Sequence, residues 1–170
     1  MAKLFSNEKK KRRDCNMDFN VISAILYTMI CCLISLIIAG KSGCNEDKEW
    51  FANLNHPDNS FMLKIVNVVG VIFYLLFGFI LYQLFLNNDI VPIILVILII
   101  QFMGLSPALK YKTKNLKLFF FAMLIFPILT LVLIFFLLQT NPSLAVLVIV
   151  FSLWLAYDMS YYYRLMKLNK

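Results

Sequence analysis

Histidine, tryptophan and charge are scarce in this chain. Its 170 residues hold one histidine, His56, two tryptophans and four cysteines, Cys15, Cys31, Cys32 and Cys44. No Cys-x-x-Cys occurs, so the ligand spacing of a zinc site is absent. No Ser/His or Cys/His constellation is visible, and the chain reads as a non-enzyme without a cofactor. Charged residues make up 15% of the chain, where a soluble domain carries about a quarter. Acids are nearly excluded from the long apolar runs, in which Asp158 is the one carboxylate. With no internal repeat and one intramembrane charge, a transporter proper is disfavoured.

What the chain does have is apolar surface, 62% of its residues. It is gathered into five runs, 19–40, 65–86, 90–109, 118–138 and 144–163. Each is about 20 residues, enough to cross a hydrocarbon core of ~30 Å at about 1.5 Å per residue. A water-soluble fold of this length could not hide so much apolar surface. Inside lipid the backbone must satisfy its own hydrogen bonds, so the runs must be helices. The expected fold is all-α: a polytopic, multi-pass integral membrane protein with a five-transmembrane-helix bundle over residues 19–165. A polar basic tail, 1–18, precedes it, and a short tail, 166–170, follows.

The net charge of +7 does not signal nucleic acid, because the basic residues sit at run ends and in the tails. Lys9-Lys10-Lys11-Arg12-Arg13 reads as a topology determinant beside the bilayer. Ser42-Gly43-Cys44 is similar to a lipoprotein cleavage site. Lys41 stands where such a site wants an aliphatic residue, and the first run is too long for a signal, so it reads as a retained helix. The positive-inside rule pulls both ways. Six Lys/Arg in the N-terminal tail oppose Lys41, Lys48, Lys64, Lys110, Lys112, Lys114, Lys117, Arg164, Lys167 and Lys170.

Several polar and small residues interrupt the runs. Loop 41–64 is acidic and carries Trp50 in the stretch Trp50–Pro57. An interfacial anchor is its structural reading, and a lid over a cavity its functional one. Gly70, Tyr74 and Gly78 recur four apart on one helix face, which suits close helix packing or a groove for a flat ligand. Gln101 lies in mid-span and either bonds a neighbouring helix or contacts a ligand. Pro127 should kink the fourth span. In the fifth, Trp154 and Asp158 share a face, with Tyr157 beside them. An acid inside a span is costly unless paired. Asp158 is therefore a site candidate, or else pairs with a Tyr or Lys near the membrane edge.

Together these residues resemble the translocator-protein family, also called tryptophan-rich sensory proteins or peripheral-type benzodiazepine receptors (TspO/MBR). The family's first loop, Trp-Tyr-x-x-Leu-x-Lys-Pro, is similar to Trp50-Phe51-Ala52-Asn53-Leu54-Asn55-His56-Pro57. Its second-helix pattern, Val-Trp-x-x-Leu-Tyr-x-x-Met-Gly, falls in register without a gap on Val69 to Gly78. Gln101 stands for the third-helix Gln, and Trp154 with an aromatic at Tyr157 for the last-helix motif. Asn169 echoes a later family Asn. The resemblance covers about residues 22–169. The chain departs from the pattern at Phe61-Met62, Gly70, Leu105, Ser106, Val150-Phe151 and Tyr161-Tyr162.

The resemblance implies five membrane helices and a receptor, sensor or transport-associated protein. It implies binding of a flat hydrophobic ligand, a tetrapyrrole (porphyrin) or sterol, between helices, with the first loop as cap. The implied ligand-binding residues are Trp50, Pro57, Gly70, Tyr74, Gly78, Gln101, Trp154, Tyr157 and Asp158. The family's light-dependent porphyrin breakdown is associated with tryptophans in the second and fifth helices. Only Trp154 of these is kept, which favours binding over chemistry. The alternative is a structural or partner-binding membrane protein that kept the fold and lost the pocket. The glycine face and Phe-rich spans fit a homodimer as well as a pocket.

Overall fold

A computed structural model of the chain describes residues 22–30, 33, 34, 37, 45–57 and 60–169. The tail 1–18, and most of what lies between residues 31 and 44, fall outside the described residues. Every regular element among the described residues is helical: α1 over 22–30, α2 over Asn45–Ala52, α3 over Ser60–Asn87, α4 over Ile90–Thr113, α5 over Leu116–Met123, α6 over Ile125–Thr140 and α7 over Pro142–Leu168.

Four segments are long and apolar enough to cross a bilayer: Val68–Asn87, Ile90–Thr113, Leu116–Thr140 and Pro142–Leu168. The protein is therefore a multi-pass integral membrane protein. The helices outrun the apolar runs of the sequence at several ends. α7 continues to Leu168 through the expected C-terminal tail, and α4 continues through Lys110 to Thr113. Once nucleated, a helix carries on into the headgroup zone until a cap stops it. The expected first span, 19–40, is helical at residues 22–30, 33, 34 and 37, and its remainder lies outside the described residues.

The turns follow from local chemistry. α3 ends in a Schellman motif: Asn88 adopts φ 57°, its N–H donates to Phe85 O, and Asp89 N–H donates to Leu84 O. Asparagine tolerates that left-handed conformation better than most residues. α4 ends at Lys114, also left-handed at φ 48°. Asn115 then caps α5, its Oδ1 accepting from the N–H groups of Lys117 and Leu118 at 3.1 Å each. Pro142 opens α7 at a position where its missing N–H costs nothing.

Two prolines act inside spans. Pro127 lacks an N–H for the carbonyl of Met123 and its ring crowds that carbonyl. The span Leu116–Thr140 accordingly breaks at Leu124, where the backbone tightens to a bond from Leu124 N–H to Phe121 O, and resumes as α6. Pro107 likewise strands the carbonyl of Met103. There the Ser106 hydroxyl donates to Met103 O at 3.1 Å, and α4 runs through unbroken.

α6 and α7 form the most extensive helix pair. α4 packs on α3, α5 and α6, while α7 also meets α5 and α3. The interior is closed by apolar side chains, with Phe77, Ile80, Leu81, Leu84, Ile99, Ile100, Leu133 and Leu137 fully buried. Edge-on aromatic contacts tie the layers: Phe73 and Phe77 each meet Phe151 at 4.8 Å, and Phe119 meets Tyr162 at 4.8 Å. The outside is equally apolar. Leu75, Leu131 and Leu153 are each more than 60% exposed, which is the surface lipid requires and water would penalise.

Candidate functional site

Helices α3, α4, α5–α6 and α7 alternate in direction. Loop 53–57, the C-terminal end of α4, the start of α5 and the C-terminal end of α7 therefore share one end of the bundle. That end carries the buried polar chemistry. Asp158 is buried on α7, and its Oδ1 has no hydrogen-bond partner among the described residues. Lys110, on α4 at the same end, attracts it through space without ion-pair contact. The Lys110 ammonium is held by rings. It lies 4.3 Å from the centroid of Phe51, 4.5 Å from Tyr111 and 5.9 Å from Tyr162.

A cap covers this pair. α2 and the turn after it lie across the end of α4, and three contacts latch them. Phe51 rests on the Lys110 ammonium and meets Tyr111 edge-on at 6.2 Å. His56 bridges two partners, with Nε2 2.8 Å from Phe51 O and Nδ1 2.8 Å from Tyr161 Oη. A carbonyl can only accept, so Nε2 donates to it. In that neutral tautomer Nδ1 accepts from the Tyr161 hydroxyl. Finally, Asn55 N–H donates to Asn169 Oδ1 at 2.8 Å, and Asn169 Nδ2 returns a bond to Asn55 O at 3.0 Å.

A second feature lies on the flank. A cleft of about 340 Å³ runs between α1 and α3, lined by Ile25, Thr28, Met29, Val71, Tyr74, Leu75, Gly78, Phe79 and Tyr82. Gly78 is what lets α1 approach: a Cβ there would stand 2.7 Å from Thr28 Oγ1. The Thr28 hydroxyl donates back to Ala24 O, so little polarity is left in the wall. Gln101 Nε2 donates to Tyr27 Oη at 3.0 Å and pins α1 to α4.

The structure distributes the nine residues singled out from the sequence over five places. Tyr74 and Gly78 line the flank cleft together, whereas Gly70, eight residues earlier, faces open space. Gln101 meets α1. Trp154 and Tyr157 sit together, 5.6 Å apart, with Trp154 also 6.4 Å from Phe73. Asp158 lies under the cap, to which Trp50 and Pro57 belong; both are half-buried, and Trp50 meets Phe51 at 6.3 Å.

Sequence reasoning missed Lys110, His56, Phe51, Tyr161 and Tyr162 as members of one cluster. Lys110 read as a turn lysine because it lies just past the apolar run 90–109, which contains Pro107. The available signal was the hydroxyl of Ser106 next to that proline, which allows a helix to continue. Among the described residues no group of three or more His, Cys, Asp or Glu could hold a metal ion. Comparison with family models, with curated proteins and with solved structures finds no match to this chain.

Proposed function

We propose that this protein is an integral membrane ligand-binding protein of translocator type. On this reading it has five spans, the first over 19–40, and acts as a receptor or transport-associated protein rather than an enzyme. Its ligand is a flat hydrophobic molecule, a tetrapyrrole or sterol. The observation that carries the reading is the flank cleft. It has the volume of a small-molecule site. Its walls are apolar, and Tyr74 and Tyr82 contribute ring surface against which a flat ligand can lie.

The bundle interior is filled by side chains, so a ligand would lie along α1 and α3 and enter from the lipid. A second reading, a structural or partner-binding membrane protein, is favoured by one specific observation. Gly78, the residue expected to leave room, has its space taken up by Thr28. Titration with protoporphyrin IX, and separately with a fluorescent sterol, would be followed through Trp50 and Trp154 emission in lipid nanodiscs. Saturable quenching that weakens at least about tenfold when Val71→Phe and Leu75→Phe fill the cleft supports the first reading. Linear quenching in the unaltered protein for both ligands moves the second to first place.

A further inference from the structure

The seam between α5 and α7 carries chemistry that the ligand cleft does not use. Phe120 and Tyr163 meet there at 5.7 Å between ring centroids. The Lys167 ammonium sits 4.8 Å over the Tyr163 ring. Lys117 stands one helical turn before Phe120 and so projects from the same side of α5. The ring contact thus brings two lysines from distant parts of the sequence to one outer edge of the bundle. Both are exposed, as is Tyr163.

The level is that of lipid headgroups. α7 has 27 residues, about 40 Å at the usual rise, against a hydrocarbon core of ~30 Å. Its last turn, with Lys167, therefore stands beyond the acyl region. Below Lys117 the surface becomes an apolar stripe, Phe121, Ile125 and Ile128, each 40% exposed or more. A cationic rim above an apolar stripe is complementary to an amphiphile with an anionic head.

We propose that Lys117 and Lys167, seated around the Phe120–Tyr163 pair, bind the phosphate of an anionic phospholipid whose acyl chain lies along Phe121, Ile125 and Ile128. Lysine suits this role as a compact charge with three rotatable donors, and the Tyr163 hydroxyl can add a further hydrogen bond. The ring beneath Lys167 holds its ammonium in place before the lipid arrives. A zwitterionic lipid brings its own cation beside the phosphate and gains less. Inorganic phosphate shares the head chemistry but lacks the chain.

The test is lipid binding to the full-length detergent-purified protein, read by native mass spectrometry. Phosphatidylglycerol is titrated against phosphatidylcholine, with inorganic phosphate as competitor. Phosphatidylglycerol should bind selectively. Lys117→Gln with Lys167→Gln should weaken it about 25-fold, on the order of fivefold per charge. Tyr163→Leu, which keeps both charges, should weaken it about threefold. Lys112→Gln, an exposed lysine on α4 rather than on the α5–α7 seam, should change little. Equal binding of the two lipids overturns the proposal. So does an equal loss in Lys112→Gln, which would mean a diffuse field, or displacement by phosphate at the concentration at which the lipid binds.

Discussion

Removing one member of the Lys110–Asp158 pair should cost different amounts depending on which is removed. Asp158 is 9% exposed, and its Oδ1 lacks a partner among the described residues. Lys110 is half-buried, and three rings surround its ammonium. In Lys110→Met the carboxylate keeps no cation: it stays charged in a dry site or takes up a proton, and both routes cost free energy. Lys110 and Asp158 are not in ion-pair contact, so the loss stays below the full ~3–5 kcal/mol of a broken buried pair, at about 2–4 kcal/mol. In Asp158→Asn the ammonium keeps its rings, each worth about 0.5–2 kcal/mol, and its four-carbon stem can carry it toward the headgroups. The loss should then be about 1–3 kcal/mol. Replacing both, Lys110→Met with Asp158→Leu, removes the need for pairing and should recover at least about 2 kcal/mol of the summed losses. Reversible unfolding in mixed micelles, monitored by circular dichroism across the four proteins, measures this. If Asp158→Asn costs as much as Lys110→Met and the double substitution is additive, the two groups do not sense each other and the argument fails.

Three further outcomes are expected. Tyr161→Phe removes the donor to His56 Nδ1 at a cost of about 1 kcal/mol; hydrogen exchange at residues 49–57 should speed up severalfold, and unchanged exchange would mean the latch contributes nothing. Gly78→Ala should destabilise the α1–α3 contact by about 1–3 kcal/mol because its Cβ meets Thr28, and adding Thr28→Ala should restore much of it; a neutral Gly78→Ala would refute the close approach. Gln101→Leu should cost about 0.6 kcal/mol and free α1 alone, so crosslinking between cysteines placed at Ile25 and Leu75 should fall while the melting of the remaining bundle stays the same.

Much of this protein is written locally in the chain, and some of it is not. Uninterrupted apolar runs, Asn88 at the end of α3, Asn115 before α5 and Pro142 at the start of α7 each act over a few residues. Membrane insertion, the helical class and the turns could therefore be read from the sequence. The position of the break between α5 and α6 also follows from Pro127, because a proline disturbs the carbonyl four residues before it. Asp158 stood out because a lone acid in an apolar run is expensive wherever the helix packs. Its partner did not, since nothing within α4 tells Lys110 which helix it will face. The His56–Tyr161 contact joins residues 105 apart, and only the tertiary fold, with α2 laid on the end of α4 and α7 packed on α5 and α6, brings them within a hydrogen bond. The same holds for Gly78: the spacing Gly70, Tyr74, Gly78 shows a face with room, but whether a ligand or a helix takes that room depends on what arrives there, and Thr28 takes part of it. Backbone hydrogen bonding and hydrophobicity act residue by residue or turn by turn, so they are legible in one dimension; charge pairing, capping and cavity shape depend on distances between helices, and tertiary structure alone sets those.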